Sequence, residues 1–381
     1  MAEGDGRDQW IWQRPQWPLF NWHADALLEK IDRVSRLQER LLGAAAATIS
    51  GYTLKPELDA LLANIVQSSA IEGEVLNVDS VRSSLARRLG VPEGGLGPVS
   101  ARSEGLVELQ LDATGNHDTP LTSERLCRWH AYLFPEDEFR LRATGVGVLR
   151  GADRMQVVSG PMHARRVHFE APPRRGLEAR LDNFLKWLVS SRADPELNPI
   201  LRAALAHLWF VTLHPFDDGN GRLARAITDY ALAQAEGRSV RLYAMSAAIM
   251  ARRREYYAIL EQTQRGTLDV TPWLAWFLDT LEGTLESALG KVALVLQKAR
   301  FWQIHGQQSL NKHQVKVLNR LLDAGPSGFE GDLSARKYMG IAGVSKATAT
   351  RHLVDLQTKG ALVKLEGGGR QTRYAVNWPL E

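Results

Sequence analysis

A short stretch of the chain, from His214 to Arg225, holds several residues that could bind and process a phosphate group. Its sequence is HPFDDGNGRLAR. The proline predicts that the preceding helix ends here, because a residue before proline avoids the helical region. Gly219, Asn220 and Gly221 then open a new helix, whose unpaired N–H groups and positive dipole end can bind an anion. The glycines let the backbone approach that anion closely, so the stretch predicts a phosphate-binding turn.

The charged side chains of this stretch indicate which reaction it could serve. Arg222 and Arg225 are three residues apart, so both can reach phosphate oxygens from neighbouring helix faces. Asp218 is a hard oxygen ligand that suits Mg²⁺ bridging nucleotide phosphates. His214, with an ordinary pKa of about 6.5, is mostly neutral in cells and can accept a proton. Together these residues indicate phosphoryl or nucleotidyl transfer to a hydroxyl group.

The stretch resembles the core motif of the Fic-domain family, His-x-Phe-x-(Asp/Glu)-Gly-Asn-Gly-Arg-x-x-Arg, and matches it at every specified position. The resemblance implies a protein that transfers AMP from ATP, with Mg²⁺, to a Ser, Thr or Tyr hydroxyl of a target protein or of itself. The roles that it implies are general base for His214, loop anchor for Phe216, Mg²⁺ ligand for Asp218, and phosphate contacts for Gly219, Asn220, Gly221, Arg222 and Arg225. Tyr257 is a candidate for a wall of the adenine pocket, with core packing as the favoured alternative.

A second motif lies upstream and consists of Ser68, Glu72 and Gly73. Ser68 and Glu72 are four residues apart and so share one face of a predicted helix. A glutamate at the end of a helix is unfavourable, and the pattern alone favours a solvated side chain. The segment nevertheless resembles the family's inhibitory pattern, (Ser/Thr)-x-x-x-Glu-(Gly/Asn). By that resemblance Glu72 pairs with Arg225 and blocks the γ-phosphate, and in some relatives the same glutamate also supports removal of AMP.

A β-hairpin is predicted within residues 145–170, where short extended pieces alternate with glycine and proline. Val157, Val158, Ser159 and Gly160 resemble the flap of the family, which aligns a target segment by adding it as a strand. An ordinary structural hairpin is the alternative.

The elements that position these residues are expected to be mainly α, as a Fic-type helical bundle with a small β-hairpin flap. Apolar residues at helical spacing predict helices at about 23–47, 56–71, 122–134, 176–191, 199–213, 219–235, 246–262 and 271–300. Before the first helix, four tryptophans lie in a stretch interrupted by prolines. They are expected to pack on the domain body, and they are Trp10, Trp12, Trp17 and Trp22.

Residues 301–381 predict a separate basic domain. They hold 11 Lys and Arg against 6 Asp and Glu, whereas the rest of the chain is close to neutral. A helix–turn–helix pattern followed by two short strands resembles the winged helix-turn-helix family. Basic and polar residues on its recognition helix and wing suit phosphate contacts, with protein binding as an equal alternative. The residues expected to contact DNA are Lys346, Thr348, Thr350, Arg351, Arg370 and Arg373.

Composition excludes several classes of protein. With 44% hydrophobic and 24% charged residues, the chain is unlike a disordered one. A single cysteine, Cys127, excludes an internal disulfide framework and a cysteine-rich metal site. No apolar run approaches the ~18 residues of a membrane helix, and the first residues lack the features of a secretion signal. A cytoplasmic protein without membrane contact is therefore expected.

These patterns predict three parts: an N-terminal helical region with the inhibitory helix (1–95), a Fic catalytic core (96–300) and a winged-helix domain (301–381). The leading interpretation is a Mg²⁺-dependent protein adenylyltransferase that Glu72 restrains. The alternative is a DNA-binding regulator whose nucleotide site senses ATP and transfers little. A homodimer could regulate the restraint, and no residue pattern decides the oligomeric state.

Overall fold

The computed structural model describes residues 9–46, 54–91, 97–135, 145–161, 164–238, 242–325, 329, 331–366 and 372–379. The chain divides into two compact units. The first comprises residues 1–43 and 53–288, and the second comprises residues 44–52 and 289–381.

Within the described residues, the regular elements of the first unit are helices and one antiparallel hairpin, and its last helix, Thr271–His305, ends in the second unit. The helices are α1 (Ala24–Ala46), α2 (Leu54–Ile71), α3 (Val78–Leu89), α4 (Ala101–Gly115), α5 (Ser123–Leu133), α6 (Leu177–Ser190), α7 (Pro199–Leu213), α8 (Asn220–Glu236), α9 (Met245–Ala251), α10 (Arg253–Gln264) and α11 (Thr271–His305). The hairpin strands are β1 (Gln156–Ser159) and β2 (Arg166–Glu170).

The core of this unit is built around α7 and α8. The side chain of Asn198 caps α7 by accepting hydrogen bonds from the first-turn N–H groups, and Pro199 occupies the first helical position, where no donor is needed. Every residue of α7 after this proline is buried. Trp273 of α11 donates from Nε1 to the backbone of Ala204 at 2.9 Å. The turn between α7 and α8 therefore rests on a fully packed helix.

A buried polar network fixes α2 against α8. Asn64 of α2 donates to Asp229 Oδ2 of α8 at 2.5 Å, and Gln110 of α4 donates to the same oxygen at 3.1 Å. Asn64 Oδ1 accepts a hydrogen bond from the backbone N–H of Ser246 at 2.9 Å. Because buried polar groups are costly when left unpaired, this network holds α2 in one position on α8. The C-terminal end of α2 is thereby held over the start of α8.

The hairpin expected within residues 145–170 is present, and two of the N-terminal tryptophans, Trp10 and Trp12, pack against it. Trp10 contacts Phe169 of β2 edge-on, with ring centroids 5.4 Å apart. Trp12 donates from Nε1 to the carbonyl oxygen of Glu170 at 2.7 Å, and Arg265 donates to the carbonyl oxygen of Val167 at 2.7 Å. Side chains from other elements therefore occupy backbone acceptors of β2.

Apolar periodicity did not predict α3 and α4, because small polar residues occupy their buried faces. A buried serine or glutamine looks like a surface position in a hydropathy pattern, so the helical stripe is hidden. The residues concerned include Ser80, Ser83 and Ser84 in α3 and Gln110 and Thr114 in α4.

The single helix expected at 246–262 is wrong. The structure has two helices there, α9 and α10. They meet at Arg252, whose backbone angles of φ −113° and ψ 28° lie outside the helical region.

In the part of the second unit that the structure describes, three further helices and a second hairpin follow the end of α11, which contributes Phe301 to the core. Its elements are α12 (Lys312–Ala324), α13 (Ala335–Ala342), α14 (Lys346–Thr358), β3 (Leu362–Lys364) and β4 (Tyr374–Val376). Leu333 forms an additional bridge to Tyr374. None of the helices in the described ranges of either unit has the length and apolarity that crossing a membrane requires.

Candidate functional site

The predicted phosphate-binding turn lies between α7 and α8. His214 adopts the left-handed conformation (φ 49°) and ends α7, and Gly219 (φ 81°) precedes α8. A Cβ on Gly219 would lie 2.9 Å from Leu133 Cδ1, so glycine is required by both space and conformation. Asn220 holds the turn, since its side chain accepts from the N–H of Phe216 at 3.0 Å and donates to the carbonyl of Phe216 at 2.7 Å. The first-turn N–H groups of α8 lack intrahelical partners and face the site.

His214 is held as a neutral proton acceptor. Its Nδ1 lies 3.2 Å from the carbonyl oxygen of Val211. A carbonyl only accepts, so Nδ1 carries the hydrogen and Nε2 keeps a free lone pair. Burial lowers the pKa of His214 to about 4. The imidazole is therefore neutral near pH 7, as a general base must be.

Two residues that the sequence did not indicate support the turn from outside the motif. Arg150 is 2% exposed and donates from Nε to the carbonyl of His214 at 2.8 Å. The His130 ring stacks on Phe216 with ring centroids 4.2 Å apart. Its Nδ1 accepts a hydrogen bond from the N–H of Gly147, and its Nε2 lies 3.2 Å from the carbonyl oxygen of Asp218. Desolvation lowers the pKa of His130 to about 4. Both side chains are isolated in sequence, so no spacing pattern could have revealed them.

Glu72 contacts the second arginine of the motif. Arg225 Nη2 lies 2.8 Å from Glu72 Oε1, and the same guanidinium donates to Ser68 through Nε to Oγ (2.9 Å) and Nη2 to the carbonyl oxygen (2.8 Å). Burial lowers the pKa of Arg225 and the Glu72 charge raises it, with a net rise. The predicted partners Ser68, Glu72 and Arg225 are thus brought together.

The Glu72 carboxylate also lies over the start of α8. A Cβ built on Gly221 would lie 2.1 Å from Glu72 Oε1 and 3.3 Å from Arg225 Nη1. The space that the glycine leaves is therefore filled by a carboxylate. An acceptor at a helix N-terminus occupies the place where a phosphate oxygen would bind.

The end of α2 is held by α10. The carbonyl oxygen of Ile71 accepts from Arg253 Nε at 2.8 Å and from the Tyr257 hydroxyl at 3.2 Å. Tyr257 is 39% exposed, and its hydroxyl is 3.5 Å from Glu72 Oε2. The predicted adenine-wall residue therefore lies beside Glu72, in the lining of the same cavity.

Glu74 is a functional candidate that the sequence analysis missed. Gly73 has φ 84°, a left-handed conformation that reverses the chain after α2. Both Glu74 carboxylate oxygens then accept from Arg222 Nη1 at 2.9 Å, and Arg102 Nη2 approaches Glu74 Oε1 at 2.5 Å. Each arginine of the motif thus has a carboxylate partner from the same short segment. The sequence signal is an acidic residue two positions after Glu72, beyond the glycine.

Asp218 has the exposure and chemistry of a shared Mg²⁺ ligand. Its side chain is 64% exposed, and Oδ1 accepts from Gly219 N–H at 2.6 Å and lies 3.6 Å from Arg222 Nη2. Within the described ranges, no group of three or more His, Cys, Asp or Glu side chains could hold a metal by itself. One carboxylate completed by nucleotide phosphates and water is an ordinary set of Mg²⁺ ligands, so the residues fit a nucleotide-bound ion.

The motif and the flap share one cavity of about 700 Å³. Its lining includes His214, Asp218 and Gly219–Gly221 on the motif side, Glu72 just after α2, Tyr257 of α10, and Val157, Val158 and Ser159 on the flap. The valines are 37% and 40% exposed. Gly160 (φ 88°) ends β1, where a Cβ would lie 2.7 Å from the carbonyl oxygen of Ala164.

The residues expected to contact DNA belong to the second unit. Lys346, Thr350 and Arg351 are exposed on α14. Thr348 is half-buried and its hydroxyl accepts from that of Ser345, the helix cap, at 3.1 Å. Arg373 donates to the carbonyl of Gly331. Arg370 lies outside the described residues.

Two family models match separate parts of the chain. Residues 120–232 match the Fic/DOC family, and residues 10–91 match a domain of unknown function, DUF4172. The first match contains the whole motif from His214 to Arg225, so residues 120–232 are similar to a Fic/DOC domain. The second contains α2 and the residues from Ser68 to Gly73.

Curated relatives match about two thirds of the chain at modest sequence identity. "Protein adenylyltransferase Fic" from Nematostella vectensis is 26% identical over 275 residues, which is 70% of this chain and 57% of the relative. The protein of the same name from Aedes aegypti is 27% identical over 269 residues, 68% of this chain and 48% of the relative. The chain thus spans about half the length of the curated relatives it matches.

Two solved structures have a similar fold. A Fic family protein from Desulfovibrio desulfuricans G20 has a TM-score of 0.55 at 16% identity, covering 93% of this chain and 97% of that one. A Fic domain containing signaling protein from Bacteroides thetaiotaomicron has a TM-score of 0.51 at 20% identity, covering 68% and 97%. At these identities the likeness concerns the fold alone.

Proposed function

We propose that this chain transfers AMP from ATP to a Ser, Thr or Tyr hydroxyl of a protein, and that Glu72 restrains the transfer. The observation that carries the proposal is the position of the Glu72 carboxylate, 2.8 Å from Arg225 Nη2 and over Gly221. Arg225 and Gly221 both belong to a motif that matches the Fic pattern at every specified position. Relatives that carry the name protein adenylyltransferase support the reaction type.

The chain's own residues suit each part of the transfer. The N–H groups at the start of α8, with Arg222 and Arg225, bind the phosphates and stabilise the charge that develops on the leaving pyrophosphate. His214 Nε2 accepts the proton of the acceptor hydroxyl, because Nδ1 is committed to Val211. The hydroxyl oxygen then forms a bond to the α-phosphorus, and the bond between that phosphorus and the β-phosphate oxygen breaks.

Asp218 is the residue that would hold Mg²⁺ together with the phosphates. When bound, the ion neutralises phosphate charge and orients the leaving group. Asp218 keeps its carboxylate at the mouth of the turn through the hydrogen bond from Gly219 N–H. Arg150 and His130 hold that turn and so keep His214 and Asp218 in position.

The restraint follows from competition for the same donors. The Arg225 side chain is fixed in a buried position, since it is 2% exposed and its guanidinium also donates a hydrogen bond to Ser68. A γ-phosphate can contact this guanidinium productively only after the Glu72 carboxylate has left. Replacing Glu72 by glycine removes the carboxylate and leaves the arginine and the N–H groups available to ATP.

The flap offers a place for the target segment. Side chains of Trp12 and Arg265 already occupy backbone acceptors of β2, whereas Val157 and Val158 of β1 are exposed beside the cavity. An extended peptide could pair with β1 through main-chain hydrogen bonds, which would place its hydroxyl group near His214.

The test uses ATP labelled separately at the α- and γ-phosphates, with Mg²⁺, a cell lysate as substrate, and the Glu72→Gly protein. Label from the α-phosphate is expected on protein, and Glu72→Gly/His214→Ala should reduce it by about 10²–10⁴-fold, as loss of a general base does. Protein label from the γ-phosphate alone would instead mean kinase chemistry and would refute the proposal.

A second proposed function concerns the second unit, as a winged helix-turn-helix that binds DNA. The observation that favours it is the exposure of Lys346 and Arg351 on α14, the helix that Ser345 caps at its N-terminus. Basic residues along one exposed helix suit phosphate contacts. Weaker DNA binding by the Lys346→Ala/Arg351→Ala variant, with an affinity that depends less steeply on salt concentration, would support it. Equal binding by the variant and the wild-type chain would contradict it.

A further inference from the structure

A chain of three hydrogen-bonded side chains links the flap to α10, and the proposed transfer does not use it. Ser159 Oγ of β1 lies 2.6 Å from His168 Nε2 of β2. His168 Nδ1 lies 2.7 Å from Glu261 Oε2 of α10. The arrangement of hydroxyl, imidazole and carboxylate is the one that activates a nucleophilic hydroxyl in many enzymes.

The direction of the hydrogen bonds follows from the carboxylate. Glu261 also accepts from Arg166 at 2.8 Å. Burial would raise the pKa of Glu261, but the hydrogen bonds from His168 and Arg166 outweigh it and hold the pKa below its ordinary value. An ionised carboxylate only accepts, so His168 Nδ1 donates and Nε2 is left to accept the Ser159 proton. Ser159 is thus paired with a base whose orientation a third group fixes.

The location of the three residues identifies the electrophile. Ser159, His168 and Glu261 line the same cavity as His214 and the first turn of α8. The phosphate turn contributes the first turn of α8, at Gly219–Gly221, to the lining of this cavity, and the N–H groups of a helix N-terminus bind phosphate. The electrophile that such a cavity would present to a serine is the α-phosphorus of a bound nucleotide.

We propose that Ser159 is an internal acceptor, which takes AMP from ATP bound in the same chain. The proposal rests on the proposed AMP transfer. In the step, Ser159 Oγ forms a bond to the α-phosphorus, and the bond between this phosphorus and the β-phosphate oxygen breaks. The hydroxyl proton passes to His168 Nε2, pyrophosphate leaves, and the product is a phosphodiester on the flap. The adenylyl group then lies on β1, the strand that the target segment would join.

The sequence provides a direct readout. Cleavage after Arg154 and Arg165 releases residues 155–165, MQVVSGPMHAR, in which Ser159 is the only hydroxyl residue. Glu72→Gly protein is incubated with Mg²⁺ and α-labelled ATP, with and without a cell lysate, and digested. Mass spectrometry should find this peptide carrying one adenylyl group on Ser159.

The base is tested with His168→Gln in the Glu72→Gly background. Modification of the 155–165 peptide, measured relative to label on lysate proteins, is expected to fall by about 100-fold or more. His23→Gln is the matched control, because His23 also pairs with a carboxylate, that of Asp269 at 3.3 Å, but is 78% exposed and outside the cavity. A variant that merely loosened the flap would lower both labels together, and that result would overturn the assignment of His168.

The remaining outcomes separate this inference from the proposed function. Label on lysate proteins with an unmodified 155–165 peptide would refute the role of Ser159 and leave AMP transfer standing. Absence of α-label from both the lysate and the chain would refute AMP transfer, and the internal acceptor with it.

Discussion

Replacing Glu74 by glutamine is expected to strengthen ATP binding. Both oxygens of the Glu74 carboxylate lie 2.9 Å from Arg222 Nη1, and Arg222 is only 3% exposed. A phosphate that uses this guanidinium must displace the carboxylate or share the arginine with it. Glutamine keeps the size of the side chain and one acceptor oxygen but removes the charge, so Arg222 becomes easier for a phosphate to engage.

The size of the effect follows from the strength of one charged contact. A hydrogen bond to a charged group contributes about 1.5–3 kcal/mol, and the Glu74 side chain is 27% exposed, so solvent screening reduces this to about 1–2 kcal/mol. Since 1.4 kcal/mol corresponds to a factor of ten in affinity, the Kd for ATP should fall by about 5- to 30-fold. The same change should lower the free energy of unfolding by about 1–2 kcal/mol without ATP, because Arg222 loses its nearer carboxylate partner and Arg102 loses its ion pair with Glu74.

Calorimetric titration of Mg²⁺·ATP measures this affinity, with His214→Ala in every protein to prevent turnover. Glu108→Gln is the control, because Glu108 pairs with Arg88 at the surface and lies outside the cavity. If Glu74→Gln binds ATP as the control does, or more weakly, then Glu74 does not compete with phosphate. The reasoning from the Arg222 contact would then be wrong.

Three other changes test different parts of the site. Gly221→Ala is expected to lower the free energy of unfolding by about 1–3 kcal/mol, because the new Cβ would lie 2.1 Å from Glu72 Oε1, and an unchanged urea midpoint would contradict this placement of Glu72. Burial lowers the pKa of His207 to about 3. Below pH ~6.5 the unfolded state therefore binds a proton at His207 that the folded state does not bind. As the pH falls from 6.5 to 5, this difference should lower the free energy of unfolding by about 2 kcal/mol. In urea unfolding at both pH values, the His207→Gln protein should not show this loss of stability. An equal loss in the variant and the wild-type protein would rule out His207 as its cause. Asp218→Asn, or chelation by EDTA, should reduce α-label transfer by the Glu72→Gly protein about 100-fold or more, and full activity without Mg²⁺ would disprove the role of Asp218.

The parts of the site that the sequence predicts are those whose residues are close together in the chain. The turn from His214 to Arg225 needs a histidine at a helix end, glycines at a helix start and arginines on that helix, and each of these requirements is local. The helical character of the first unit is also local, because an apolar stripe marks α1 and a mostly apolar run marks the buried α7. The hairpin was predicted for the same reason, since β1 and β2 are joined by a short connection.

The parts that the sequence did not predict depend on contacts between distant segments. Glu74 becomes significant only because α8 presents Arg222 to it, 148 residues away in the chain. His130 supports the turn from 88 residues away. The Ser159–His168–Glu261 chain needs the packing of β2 on α10 before its members meet. Buried serines in α3 carry no apolar signal, so the helix that follows the inhibitory segment was missed.

The most direct test of the restrained transfer is the initial rate of α-label incorporation into protein, measured for wild-type, Glu72→Gly and Glu196→Gly chains. Glu196 is an exposed residue of the loop before α7, so its change to glycine should leave the rate at the wild-type value. Breaking the Glu72–Arg225 contact should raise the rate by about 10- to 100-fold, from the ~1.5–3 kcal/mol of a hydrogen bond between charged groups. A Glu72→Gly rate equal to that of wild type would contradict the account, because Glu72 would then leave the phosphate site free.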